Sequence, residues 1–143
     1  MISPISYHEC LALWNVLWAG RVSPIEPTSA MAWPESDWVR RYSMDMGEPT
    51  FLGAFRDGKL VGVNSLHRID DRYRSRGLFV QEEYRGTGVG VELLEETILR
   101  ANGKIWSYPK EQAVNTYVRA GFKIASPKLF DEVENKWNIY VST

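Results

Sequence analysis

Gly86, Gly88 and Gly90 alternate directly after an arginine, in the run Arg85-Gly86-Thr87-Gly88-Val89-Gly90. The run lies between a stretch that reads as a strand and one that reads as a helix. Glycine lets a backbone turn tightly and lets a ligand come close to its amides. The first four amides of a helix have no internal acceptor. They emerge at its positive end, where a pyrophosphate is stabilised. Arg85 adds a fixed charge able to grip phosphate oxygens with a fork of N–H donors. Two common phosphate sites are excluded by residue type. A P-loop needs Gly-Lys-Ser/Thr after the turn, and Val91-Glu92 follows here. A dinucleotide fingerprint needs a glycine where Val91 stands and normally opens a long parallel sheet, whereas only the 53 residues 91–143 remain. A ligand-free glycine turn is the structural alternative.

Periodicity gives the elements that must hold this turn. A short strand over residues 1–5 leads to a helix starting at Ser6, where Ser6 and Glu9 have capping-box spacing. Leu11, Trp14 and Trp18 form its apolar face, and Gly20 can end it. Pro24 and Pro27 make residues 21–33 a loop. Pro34 suits the first turn of a second helix, in which Trp38, Tyr42 and Met46 recur every fourth residue before Gly47. The period then changes. Residues 51–56 and 60–68 read as strands joined by the hairpin turn Asp57-Gly58. Asp70-Asp71 makes another turn, and residues 72–80 a further strand. Residues 89–101 read as a helix with Val91, Leu94, Ile98 and Ala101 on one side, closed by Asn102-Gly103. A strand over 104–108, a helix from Pro109 to about Ala120 capped by Gly121, and strands over 122–125 and 136–141 complete the chain. The predicted fold class is α/β (α+β): one mixed, mostly antiparallel sheet of six or seven strands with helices on both faces.

A chain of 143 residues suits one domain, residues 1–143. At that size folding buries roughly 68–70% of the surface and needs no disulfide or metal. The net charge of −1 gives no electrostatic reason for a nucleic-acid or membrane partner. Cys10, among Leu11, Leu13 and Trp14, reads as a small buried apolar residue. Two histidines and one cysteine do not make a zinc site. No apolar run has the length of a membrane span and no signal pattern opens the chain, so a cytoplasmic protein is expected. Of six tryptophans, Trp14, Trp18, Trp33 and Trp38 fall in the first 38 residues.

The stretch Phe79-Val80-Gln81-Glu82-Glu83-Tyr84-Arg85-Gly86-Thr87-Gly88-Val89-Gly90 resembles the acetyl-CoA signature of the GNAT (GCN5-related N-acetyltransferase) superfamily. Its core, Gln/Arg-x-x-Gly-x-Gly/Ala, is matched by Arg85 through Gly90. Ala113-Val114-Asn115-Thr116-Tyr117-Val118-Arg119-Ala120-Gly121-Phe122 resembles the family's second landmark, Ala-x-x-x-Tyr-x-x-x-Gly-Phe. The likeness is strong over residues 51–122 and weak before them. It implies a GNAT fold that takes acetyl-CoA as co-substrate and uses no metal. It implies that the strand ending in Leu78-Phe79-Val80 splays from its neighbour and pairs its backbone with the pantetheine amides. One amide of that strand would polarise the thioester carbonyl. Arg85, Gly86, Thr87, Gly88, Val89 and Gly90 would hold the pyrophosphate. Tyr117 looks like the general acid that protonates the departing thiolate; the structural alternative is a core aromatic. One departure is Lys110, where many members carry an asparagine that orients the cofactor.

An alkyl amine with a pKa of about 10.4 is mostly protonated at neutral pH, so a base is useful. The family's frequent base position holds Arg74. His67, Glu48, Asp70 and Asp71 are the candidates left, and His67 titrates in the right range; as a lone histidine near a strand end it can equally be structural. Glu82 and Glu83 read as solvated. Arg72, Arg74 and Arg76 share one face of a strand, which suits a solvent-exposed strand end or an anionic partner. The expected reaction is direct acetyl transfer to a primary amine of a small molecule or peptide in a ternary complex. An acceptor that also carries a carboxylate or phosphate would suit the arginines. A binding or regulatory module that holds acyl-CoA with little turnover is the rival function. No nucleic acid or membrane partner is expected, and the sequence leaves room for a homodimer.

Overall fold

The structure, a computed structural model, describes residues 1–17, 49–69, 72–131 and 136–143. The predicted second helix with Trp38, together with Trp18, Trp33, Glu48, Asp70 and Asp71, lies outside them. Strand β1 (Ile2–Ile5) runs into helix α1 (Tyr7–Leu17). The capping box forms: Ser6 N–H donates to Glu9 Oε1 at 3.0 Å, and Glu9 N–H donates to Ser6 Oγ at 3.1 Å. The buried face of α1 is Cys10, Leu13 and Trp14, with Leu11 only half-buried. Of the predicted Leu11–Trp14–Trp18 row, Trp14 points inward and Leu11 lies at the margin. Trp14 anchors that side, because its ring meets the Phe51 ring edge-on at 5.7 Å and its N–H is tied to the sheet.

Strands β2 (Thr50–Arg56), β3 (Lys59–Ile69) and β4 (Arg72–Val80) follow as antiparallel neighbours. The two-residue turn between β2 and β3 places Asp57 at φ 52° and Gly58 at φ 76°, the left-handed pair that a tight hairpin requires. Helix α2 (Val89–Arg100) then crosses back to β5 (Ile105–Ser107). Its buried stripe is Val89, Leu93, Leu94, Thr97 and Ala101, with the predicted Val91 and Ile98 on the margins. The helix predicted from Pro109 starts later. Lys110 is extended (ψ 154°), a 3-10 turn spans Glu111–Ala113, and helix α3 covers Val114–Ala120.

The last segments are β6 (Lys123–Ile124), β7 (Leu129–Asp131), β8 (Lys136–Asn138) and β9 (Val141–Ser142). The strand predicted over 136–141 is thus two strands. Pairing with β7, which the sequence reading missed, draws β8 into a separate hairpin. Ile139 N–H then donates to the Pro109 carbonyl at 3.0 Å, and only β9 rejoins the main sheet.

The main sheet has the order β1-β2-β3-β4-β5-β9-β6. Among the described residues β4 and β5 are its parallel pair; its other neighbours are antiparallel. The mixed, mostly antiparallel sheet of the prediction is therefore present. One face carries α2 and α3 over Leu52, Ala54, Val61, Ile105 and Val141. The other carries α1, where Cys10, Leu13 and Trp14 pack on Phe51 and Val63.

Candidate active site

The β4–β5 pair is short. Its register runs only through Tyr73 with Ile105 and Arg74 with Trp106. β5 ends at Ser107, while β4 continues to Val80. Beyond Arg74 the last tie between them is a side chain, Ser107 Oγ donating to the Ser75 carbonyl at 2.9 Å. From Arg76 onward, among the described residues, no strand pairs with the β5-facing edge of β4. Gln81 N–H donates to the Val61 carbonyl at 2.8 Å, so backbone groups at 81 face β3. Peptide groups alternate along a strand, which turns the N–H and C=O of Val80 toward the opening. The splay that the resemblance implied is present in this geometry.

A bulge shapes the same strand. Val63 faces Phe79 but Ser65 faces Arg76, so β4 carries one extra residue at Gly77-Leu78. Gly77 has φ 80°, and a Cβ there would lie 2.6 Å from the Trp14 ring. The Trp14 indole N–H donates to the Gly77 carbonyl at 2.7 Å. Helix α1 thereby clamps the bulge from the opposite face of the sheet.

The glycine turn lies past the open end of β4. Gly86 and Gly88 take φ 77° and 91°, and a Cβ on either would meet nothing within 4 Å. Their space is open, as a bound anion needs. Gly90 has a different reason, since a Cβ there would press on Thr116 Cγ2 at 3.1 Å; its bareness lets α3 approach α2. The amides of Val89, Gly90 and Val91 precede the first intrahelical bond, Glu92 N–H to the Gly88 carbonyl at 3.0 Å. Gly88, at the N-cap, has no side chain to cap them. Thr87 Oγ1 donates to the Tyr84 carbonyl and closes the turn. Arg85 Nε donates to the Val80 carbonyl at 2.9 Å, and the exposed guanidinium lies 5.5 Å from the Phe79 ring. Glu92, in the first turn, is ion-paired with Arg56 at 2.6 Å. Glu82 and Glu83 are exposed.

Tyr117 comes from α3 and is 3% exposed, its ring edge-on to Phe122 at 5.1 Å. Its hydroxyl lies 3.3 Å from Ser107 Oγ, at the base of the splay. Burial raises its pKa above the ordinary phenol value, and the Ser107 and Ser75 hydroxyls and the Arg74 charge oppose that. The hydroxyl is thus protonated at neutral pH. Asn64 donates to Ser75 Oγ at 2.8 Å and to Thr97 Oγ1 at 3.0 Å, extending the polar cluster through the core. Sequence reading passed over Asn64, Ser75 and Ser107. Small polar residues on strands carry no motif, and the one available signal was their place in otherwise apolar runs.

His67 sits on β3 opposite Arg74, on the face that carries Arg76. It is 5% exposed. Desolvation first, then the Arg74 and Arg76 charges, lower its pKa to about 3. The imidazole is neutral but a weak proton acceptor. The structure does not bring it into the Tyr117 cluster: cross-strand pairing puts it on the other face of the sheet from Ser75. Of the arginine row, Arg72 is exposed, while Arg74 and Arg76 are half-buried. Arg74 stacks 4.9 Å above Trp106, so the row does not simply project into solvent. Lys110 sits at the N-cap of the 3-10 turn without a side-chain capping bond. Cys10 is fully buried, and desolvation pushes its thiol pKa far up. Among the described residues there is no group of three metal-ligating side chains, and no helix is long and apolar enough to cross a membrane.

No curated protein matches the chain in sequence. Solved structures do match it in shape. Escherichia coli ElaA superposes with a TM-score of 0.70 at 13% identity, covering 99% of this chain and 97% of its own. An aminoglycoside 6'-N-acetyltransferase complexed with coenzyme A gives 0.67 at 15% identity, with 100% and 96% covered. The ribosomal-protein-alanine N-acetyltransferase of Brucella melitensis gives 0.66 at 18% identity, with 100% and 98% covered. At these identities the likeness is one of fold. The family model for the acetyltransferase (GNAT) domain matches residues 47–124, more than half of the chain, from just before β2 through β6. The splayed strand, the glycine turn and the tyrosine all lie inside that match, and the chain belongs to the GNAT acetyltransferase family.

Proposed function

We propose that the protein is an N-acetyltransferase that moves an acetyl group from acetyl-CoA directly to a primary amine in a ternary complex. The observation that carries this reading is the open edge of β4, with the bare glycine turn at one end and the Tyr117 hydroxyl at the other. The residues present fit the co-substrate. Gly86 and Gly88 leave room for a pyrophosphate, the amides of Val89, Gly90 and Val91 face it, and Arg85 and Thr87 flank it. Phe79 and Val80 offer main-chain groups along the arm, with Val80 on the open side. When bound, acetyl-CoA supplies the activated acyl group. The bulge amides of β4 orient and polarise its carbonyl, and Tyr117 holds a proton for the leaving sulfur. Among the described residues His67 is the one base candidate, and its depressed pKa makes direct proton abstraction weak. We assign it at most an indirect part, which leaves the amine to arrive deprotonated or to lose its proton to water.

The acceptor we favour is an amine that also bears a carboxylate or phosphate, since Arg72, Arg74 and Arg76 line one face of β4. A charge-assisted bond to arginine typically contributes about 1.5–3 kcal/mol. Amino acids, peptides and amino-sugar phosphates fit. We place its action in the cytoplasm, and the net charge of −1 gives no electrostatic reason for a nucleic-acid or membrane partner. The test is thiol release from acetyl-CoA with paired amines that differ only in the anionic group, in wild type and in Arg74→Gln. A preference of about tenfold or more for the anionic member, reduced in Arg74→Gln, is expected. Polyamines as the best acceptors would defeat the acceptor assignment. The second reading, an acyl-CoA-binding regulatory module, is favoured by the weak basicity of His67. CoA binding with no thiol release for any amine would select it.

A further inference from the structure

The hydrogens of the buried cluster can be assigned one by one. Thr97 Oγ1 donates to the Leu93 carbonyl at 2.7 Å, so toward Asn64 it accepts. Asn64 Nδ2 has two hydrogens and spends them on Thr97 Oγ1 and Ser75 Oγ. Turning the amide over would face Oδ1 to the Thr97 oxygen, which has no hydrogen left to give. Ser75 Oγ accepts one of these hydrogens. Ser107 Oγ is within donor reach of both the Ser75 carbonyl and the Tyr117 oxygen, and its single hydrogen serves one of them at a time.

We propose that Ser107 is a positioning residue that makes Tyr117 an effective acid by turning its hydroxyl. Ser107 Oγ lies 2.9 Å from the Ser75 carbonyl and 3.3 Å from the Tyr117 oxygen. Rotation of one O–H bond therefore moves its hydrogen between them. Tyr117 gives its proton to the departing sulfur: its O–H bond breaks as the S–H bond forms. The phenolate left behind then receives the turned Ser107 hydroxyl as a donor. The proton that the amine sheds on becoming an amide balances the one Tyr117 gives and restores the phenol. Burial opposes a phenolate, and the Ser107 hydroxyl is first among the groups that counter it. The proposal rests on the acetyltransferase reading with Tyr117 as acid.

The experiment is a double-mutant cycle. Thiol release is followed with saturating acetyl-CoA and a mixture of amino acids, dipeptides and amino-sugar phosphates as probe. Ser107→Ala should lower kcat roughly 10–100-fold, the range for a hydrogen bond to a charged group, with KM for acetyl-CoA unchanged. In a Tyr117→Phe background it should change kcat less than about twofold, because the group it serves is gone. Ser107→Thr restores the hydroxyl and should recover most of the rate. Ser107→Cys, with a weaker donor of similar shape, should give an intermediate loss and carries the test should Ser107→Ala fail to fold. Equal losses in both backgrounds, or full activity of Ser107→Ala, would overturn the proposal while Tyr117 stands. Wild-type activity in Tyr117→Phe, or no thiol release at all, would overturn both.

Discussion

The glycine turn and the base of the splay are built in opposite ways. The turn, Arg85 to Gly90, is local, largely exposed and made of main chain; its chemistry is that of unpartnered amides and missing side chains. The base of the splay is buried and made of side chains from four elements: Asn64 on β3, Ser75 on β4, Ser107 on β5 and Tyr117 on α3. Each construction suits the task proposed for it. An anion that arrives with its own charge needs room and donors, which a backbone supplies without side-chain entropy. A proton donor must be held at a defined angle and in one protonation state, which takes burial and an oriented hydrogen-bond chain. The two regions should therefore fail separately, one in binding and the other in turnover.

The largest effect expected is on the turn. Gly88→Glu puts a charged side chain into the open space at the N-cap and forces a residue with a Cβ to hold φ 91°. CoA binding, expected at micromolar affinity or about −8 kcal/mol, should fall below detection in calorimetry. The thermal stabilisation that CoA gives the wild type should vanish with it. Unchanged CoA affinity would break the comparison at its first term. The second effect is on turnover alone. Tyr117→Phe should lower kcat about 10²–10⁴-fold with CoA affinity nearly intact. A loss of binding in place of turnover would show that the two regions are not separable.

The same contrast decides how much of the molecule was legible in its sequence. The turn was legible because all its parts are neighbours in the chain. So were the capping box of Ser6 and Glu9, the Asp57-Gly58 hairpin and the order of the strands and helices from β2 to α3, each set by local chemistry. The clamp on the bulge was not. Trp14 and Gly77 are 63 positions apart, and nothing in either neighbourhood announces the other. Asn64, Ser75 and Ser107 were overlooked because three small polar residues become a site only once three strands align. The marginal place of Leu11 on α1 follows from the same cause, since a distant carbonyl holds Trp14 and fixes which side of the helix faces inward. The β7–β8 hairpin was hidden because its strands are three residues each, too short for periodicity to speak.

That clamp yields the third expectation, between the two regions. Gly77→Ala must hold φ 80° and displace the Trp14 ring that a Cβ would meet at 2.6 Å. The left-handed backbone and the overpacking together should destabilise the fold by about 2–4 kcal/mol. Urea unfolding would read the loss as a lower midpoint. Because the bulge lies between the turn and the splay, kcat and CoA affinity should fall together, unlike in either earlier variant.

The smallest effect concerns His67, and it asks whether the cationic face of β3 and β4 works in catalysis or in folding. An imidazole in the unfolded chain titrates near 6.5, whereas in the fold desolvation, Arg74 and Arg76 hold it at about 3. Between those values the unfolded chain binds the extra proton. Stability linked to His67 is thus fully present above pH 6.5 and is lost progressively as pH falls toward 3. At pH 5 the loss is about 2 kcal/mol, from a separation of roughly 1.5 units at 1.36 kcal/mol each. His67→Gln keeps a polar side chain of similar reach and removes the titration. Its urea midpoint should therefore fall less than that of wild type between pH 7 and pH 5. Its turnover at pH 7 should stay within about threefold of wild type, because a base so weakened accepts little from an amine. A drop of a hundredfold in kcat with unchanged stability would instead return His67 to the reaction. The catalytic machinery would then extend across the sheet to the face opposite the Tyr117 cluster, and the division between an open, backbone-built binding turn and one buried catalytic cluster would no longer hold.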